Sequence, residues 1–256
     1  MGDGARDVLD AMYGDKPMLV FGHRGASAAA PMNTLSAFEL AADMGADGVE
    51  LDVHRSADGE AVIVHDFTVE GTTDGTGTVQ EMTLAQLKAL DAGSWKDPSF
   101  AGMRIPTLDE VFEAVGDRLY INVEIKSQSR KTDGIEQLIA DKITRYGMQR
   151  RVLVSSFNPL SVRRFRQIMP EVPVGYLTAP DVPGFVDWLT LGMSYEAFHP
   201  FHETIDEALV ADASKRGHRV HTWTVNDPAR AVALRKLGVG IVITDKPDDI
   251  IHALAD

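Results

Sequence analysis

No cysteine occurs in this 256-residue chain, which excludes disulfides, thiolate nucleophiles and cysteine-ligated zinc, and fits a reducing compartment. Positive charge is scarce as well. Lysine and arginine number 25 against 38 aspartates and glutamates, for a formal charge of −13, so nucleic acid and anionic membrane surfaces are disfavoured as partners. A small anionic substrate would need a local positive site. No run of about 18 apolar residues occurs, and the opening MGDGARDVLDAMYGDKP carries acidic residues throughout with no apolar signal core. The chain therefore reads as soluble and cytoplasmic, without stable membrane insertion. No G-x-G-x-x-G follows any apolar run, which weighs against an open dinucleotide-binding sheet.

What is present is one rhythm, repeated. Short β-branched runs (MLVFGH, GVELDVH, LYINVEI, RVLVSSF, VPVGYLT, EAFHPF, HRVHTWTV and VGIVIT) alternate with helix-like stretches such as NTLSAFELAADMG, TLDEVFEAVGD, IEQLIADKITRYG, PLSVRRFRQIM and DPARAVALRKLG. Strands alternating with helices imply parallel pairing, and eight such strands in a chain of this length point to a closed α/β barrel, a TIM (β/α)8 fold. With 44% hydrophobic residues the chain can bury one large core, so residues 1–256 read as a single domain. The rhythm breaks between residues 66 and 105, a glycine-rich stretch with one short helix that follows a hairpin turning at Asp58-Gly59. This reads as an insertion over one mouth of the barrel.

The carboxylates carry the first chemical signal. Glu50 and Asp52 lie two apart on a strand and so share one face, while Val49, Leu51 and Val53 share the other. Like charges on one apolar strand are costly without a cation between them. Glu124 occupies a similar place in INVEIK, with Lys126 on the same side. Three oxygen anions without cysteine suit a hard divalent cation, Mg2+ or Ca2+, better than zinc. Two histidines stand where apolar runs stop: His23 after LVFG and His65 after VIV. Barrel enzymes place catalytic groups at the carboxyl ends of strands, and a histidine pair supplies an acid and a base near neutral pH. Arg24 adds a fork suited to phosphate oxygens. Histidines 54, 199, 202, 218, 221 and 252 match no zinc spacing and read as background.

The stretches HRGASAAAPMNTLSAF, GADGVELDVHRSADGEAVIVHD, TTDGTGTVQEMTLAQLKALDAG, RIPTLDEVF, NVEIK, SSFNP, HTWTVND and ITDKPDD, in that order from about residue 18 to residue 250, resemble the glycerophosphodiester phosphodiesterase family. The resemblance implies a TIM barrel with a small insertion after the second strand, hydrolysing a glycerophosphodiester to sn-glycerol 3-phosphate and an alcohol. By motif it implies Glu50, Asp52 and Glu124 as metal ligands and His23 and His65 as the acid–base pair. Arg24 and Lys126 would then meet the phosphate, and Phe157 and Trp223 would pack the glycerol carbons. The residues leave open which histidine acts first, and whether water or a glycerol hydroxyl attacks. A related lyase or lysophospholipase D-like enzyme, or a barrel that only binds phosphoglycerol, is the alternative reading. Two positions depart from the family pattern. Met32 stands where the family usually has glutamate, and Gly240-Ile241 stands where it usually has Asp-Gly.

Overall fold

The structure is a computed structural model that describes residues 3–180, 190 and 192–255. Eight parallel strands form a closed barrel: β1 (Leu19–His23), β2 (Gly48–Arg55), β4 (Tyr120–Ile125), β5 (Val152–Ser156), β6 (Val174–Thr178), β7 (Ala197–Pro200), β8 (Arg219–Thr222) and β9 (Ile241–Thr244). Closure is made by β1, which pairs in parallel with β2 on one side and with β9 on the other. The short β3 (Ala61–Ile63) runs antiparallel to β2, from Arg55 opposite Ala61 to Val53 opposite Ile63. The eight apolar runs of the sequence are the eight barrel strands.

Helices α2 (Leu35–Asp43), α4 (Leu108–Val115), α5 (Ile135–Tyr146), α6 (Pro159–Ile168), α7 (Glu207–Lys215), α8 (Pro228–Leu237) and α9 (Pro247–Ala255) follow strands along the chain, and α3 (Leu84–Ala89) lies in the insertion. Their starts are encoded locally. Thr107 and Glu110 close a reciprocal capping box on α4, while Asn158 and Asp227 cap α6 and α8 just ahead of a proline. Two-residue alternation then sorts the strand side chains. On β2, Val49, Leu51 and Val53 face outward and pack with Phe38 of α2 and Leu108 and Val111 of α4, which turns Glu50 and Asp52 into the barrel. Among the described residues no helix is long and apolar enough to cross a membrane.

One helix is not announced by the strand–helix rhythm: α1 (Asp3–Tyr13). Its Val8, Leu9, Met12 and Tyr13 pack with Leu19, Phe21, Leu153, Ile241 and Ile243, filling the barrel interior from the N-terminal end of the strands. This explains the small residue at position 240, because a Cβ on Gly240 would lie 2.9 Å from Tyr13 Cζ. Tyr13 donates its hydroxyl proton to His221 Nε2 at 2.8 Å, and His221 Nδ1 donates in turn to His199 Nε2 at 3.1 Å. His199 fills the space above Gly175, where a Cβ would lie 2.8 Å from its Cδ2.

Both histidines are fully buried and held neutral. Burial pushes His199 down to about 3, and burial with the neighbouring His199 pushes His221 well below the usual imidazole value. The unfolded chain takes up these protons below about pH 6.5 and the folded chain does not, so stability must fall as pH drops below that value. Urea unfolding at stepped pH is expected to show a decline between pH 6 and 4 that His199→Gln makes shallower by about 1.4 kcal/mol per pH unit.

Candidate active site

The site is built at the carboxyl rim, where β1, β2, β4 and β9 meet. The chain leaves β1 through two consecutive left-handed residues, Arg24 (φ 56) and Gly25 (φ 85). Glycine is required at the second, because a Cβ there would lie 2.7 Å from Ala37 Cβ of α2. A non-glycine in this region is uncommon, and here the turn aims the Arg24 backbone N–H at Glu50 Oε2, 3.2 Å away. Asn33 (φ 58) ends the same loop and donates from Nδ2 to Asp52 Oδ2 at 2.9 Å. Thr34 caps α2.

Three carboxylates converge below this loop. Ligand-capable oxygens of Glu50, Asp52 and Glu124 all lie within 4.8 Å of one another, and the three residues are only 4%, 1% and 8% exposed. Two cations face them. Arg24 Nε sits 3.3 Å from Asp52 Oδ2, and Lys126 Nζ sits 3.3 Å from Asp52 Oδ1 and 2.9 Å from Glu124 Oε1. Asp52 takes most of this compensation: although burial opposes it, Lys126 and then Arg24 hold its carboxyl well below the usual range. Glu50 goes the other way, raised well above the usual value by burial and then by repulsion from Asp52 and Glu124. Burial, with Asp52 repulsion, likewise pushes Glu124 up to about 7 against the pull of Lys126. With all three ionised, three carboxylates against two cations would leave one uncompensated negative charge in a buried cluster of oxygen donors, and the raised values of Glu50 and Glu124 reflect that excess. That donor set fits a hard divalent cation.

The two histidines approach by different routes. His23 ends β1 and donates from Nδ1 to Asp245 Oδ1 at 2.7 Å. His65 does not end a barrel strand. The antiparallel return of β3 carries the chain back from the rim to the level of Asp52, whose carbonyl accepts the Val64 N–H at 3.0 Å, and His65 follows directly. It donates from Nδ1 to Asp66 Oδ1 at 2.7 Å. Each imidazole thus has its Nδ1 fixed on a carboxylate, which leaves Nε2 as the acceptor of the neutral ring. Burial lowers the His65 pKa further than nearby Asp52 raises it.

His23, Arg24, Glu50, His65 and Glu124 line one cavity of about 80 Å³ together with Asn122, while Phe157, Leu177, Trp223 and Ile243 supply an apolar wall. Phe157 and Trp223 meet edge to face at 5.4 Å between ring centroids. Asp52 and Lys126 stand behind this surface as its charge support. Sequence reasoning therefore nominated nine residues that the barrel brings together, and it missed others. Asp245 is the main omission. It lies 222 positions from His23, and only the pairing of β9 with β1 makes them neighbours. Ser27 donates to Asp245 Oδ1 and Asn226 to Asp245 Oδ2, while Asn226 Oδ1 accepts the Asp245 N–H. Burial opposes ionisation of Asp245, yet the bond from His23 and those from Asn226 and Ser27 hold its carboxyl far below the usual range. A larger cleft of about 380 Å³ around Arg6, Ser214, His218 and Arg219 has no comparable convergence of acid–base groups.

The profile of the glycerophosphoryl diester phosphodiesterase family matches residues 23–249. A glycerophosphodiester phosphodiesterase of Caldanaerobacter subterraneus is 41% identical over 237 residues, spanning 91% of this chain and 96% of its own length. One from Bacillus altitudinis is 34% identical, spanning 90% and 95%. Among solved structures, an Oleispira antarctica phosphodiesterase in complex with the product sn-glycerol-3-phosphate matches with a TM-score of 0.82 at 32% identity, over 93% of this chain and 97% of that one. Fold and rim site together define a TIM-barrel phosphoric diester hydrolase. The chain belongs to the glycerophosphodiester phosphodiesterase family.

Within that family pattern Met32 is the departure that touches the site. Arg24 Nη1 lies 3.3 Å from Met32 Sδ, a weak acceptor on a flexible side chain. A glutamate in its place would accept a charge-assisted bond and fix the guanidinium against the substrate. Met32→Glu is therefore expected to raise kcat/KM on a small glycerophosphodiester by about tenfold, or roughly 1.4 kcal/mol of transition-state stabilisation. Steady-state kinetics of the two proteins side by side check this.

Proposed function

We propose that this chain hydrolyses glycerophosphodiesters to sn-glycerol 3-phosphate and a free alcohol, with Glu50, Asp52 and Glu124 holding a divalent cation, Mg2+ or Ca2+, and His23 and His65 as acid and base. The observation that carries this reading is the pairing of two carboxylate-fixed histidines with the buried carboxylate cluster in one small cavity. The phosphodiesterase from Oleispira antarctica, held with sn-glycerol-3-phosphate, supports the product. Residues 66–105 are taken as a cover over the mouth: Lys96 donates to the carbonyl of Ser27 in the β1 loop at 2.7 Å, and Gln80 reaches Asp133 beyond β4 at 3.1 Å. We place the enzyme in the cytoplasm.

A phosphodiester resists attack because its own charge repels nucleophiles. When bound, the cation supplies positive charge to the non-bridging oxygens. Arg24 offers a fork to the same oxygens, and Lys126, from behind Glu124 and Asp52, adds positive charge to the site as the leaving bond breaks. One imidazole Nε2 removes the proton from the attacking oxygen, and the other, protonated, delivers a proton to the departing alkoxide. Asp245 and Asp66 hold the rings in the required tautomer and stabilise the imidazolium as it forms. Phe157 and Trp223 pack against the glycerol carbons and keep water from that side.

Incubation with a panel of glycerophosphodiesters should release sn-glycerol 3-phosphate, with lysophosphatidylcholine turned over more slowly. No release from any of them would overturn the reading. His23→Ala and His65→Ala are each expected to lower kcat by about 10²-fold or more with the fold intact by circular dichroism. The parent's rate should follow a bell-shaped dependence on pH. Near-parental kcat in either variant would make that histidine structural.

A further inference from the structure

The catalytic cavity is small, about 80 Å³. A groove of about 570 Å³ lies in the adjoining loops, between the insertion and the segment after β4. Three links join the groove to the site. Lys126, bonded to Glu124, is followed directly by the groove residue Ser127. His65 of the cavity stands two residues before Phe67 of the groove, whose ring meets His54 edge to face at 4.8 Å. Asn158, next to Phe157 of the cavity, donates from Nδ2 to Ser127 Oγ at 3.2 Å and to the carbonyl of Ser129 at 2.9 Å. The groove therefore lies next to the cavity, on the side of His65 and of Lys126 behind it.

Its chemistry is polar but offers little to a cation. Gln80, Ser127, Gln128 and Ser129 present hydroxyl and amide groups. The one lining carboxylate, Asp133, accepts from Gln80 Nε2 at 3.1 Å and from the Ile135 N–H at 3.1 Å, and its charge is matched by the one lining ammonium, so the lining carries no net negative charge. Nearby Asp66 is committed to His65. The one lining ammonium, Lys131, is exposed and repels cationic groups. Phe67 is the sole aromatic among the lining residues, so the walls do not form the aromatic box that quaternary ammonium groups favour.

Resting on the proposed hydrolytic reading, we infer that this groove receives the leaving alcohol and selects an uncharged polyhydric one, such as glycerol or inositol, over choline or ethanolamine. The hydroxyls of the alcohol exchange hydrogen bonds with Gln80 Oε1, Ser127 and Gln128, and Lys131 excludes the cationic alternatives. A site built to hydrogen-bond hydroxyls discriminates against partners that leave those groups unpaired.

The test compares kcat/KM for glycerophosphoglycerol and glycerophosphocholine in the parent and in two surface variants. The parent is expected to favour glycerophosphoglycerol by about tenfold, a gap of about 1.4 kcal/mol. Gln80→Ala should narrow the ratio to about threefold, and Lys131→Glu should narrow it further by raising the rate on glycerophosphocholine. Equal or reversed preference in the parent, or a ratio unmoved by both variants, would overturn the inference while leaving hydrolysis standing. Failure to cleave either diester would instead strike the hydrolytic reading on which it rests.

Discussion

Three carboxylates buried within 4.8 Å of one another are the constraint on which the rest of this structure turns. Isolated, such a cluster would be strongly unfavourable, because burial and mutual repulsion both resist ionisation. The chain compensates with two cations delivered by different means. Lys126 sits two residues beyond Glu124 on the same side of the backbone and reaches both Glu124 and Asp52. Arg24 arrives through a left-handed turn whose backbone N–H is aimed at Glu50. Neither cation meets the Glu50 carboxylate directly, and burial with repulsion from Asp52 and Glu124 raises Glu50 well above the usual carboxylate value. The residual negative charge is what a divalent cation would answer.

The two histidines repeat one device from unrelated starting points. His23 stands on a barrel strand and draws its carboxylate from the far end of the chain, whereas His65 stands beyond a hairpin and draws its carboxylate from the next residue. Both rings end in the same tautomer, with Nε2 left as the acceptor. Asp245 is itself held by Ser27 and Asn226, so the His23 side is the more rigid of the two. Asp66, by contrast, is exposed. The barrel wall fixes one imidazole, and the base of the insertion fixes the other.

Much of this was legible in the sequence because it is local. Period-two alternation places Glu50 with Asp52 and away from Val49, Leu51 and Val53, and the eight apolar runs announce the eight strands. His23, His65 and Glu124 were legible from their places in or just after apolar runs, and the family resemblance joined them into one site. What escaped depends on closure. Asp245 and Asn226 become site residues only because β9 lies beside β1, a contact that no local pattern encodes. Helix α1 escaped because its apolar face packs inside the barrel, so that Tyr13 meets His221 and His199, which local spacing marks only as background. The reason for Gly240 follows from the same contact, since Tyr13 occupies the space a side chain would need.

Direct binding of Mg2+ and Ca2+, by calorimetry or equilibrium dialysis at neutral pH, tests the central claim most directly. The carboxylate cluster is expected to bind one divalent ion per chain, with an affinity lowered by about tenfold or more in Glu50→Gln and Glu124→Gln, and hydrolysis should stop in excess chelator and return with the ion. A parent protein that binds no ion and retains full hydrolysis in chelator, or glutamine variants that bind as tightly as the parent, would contradict it.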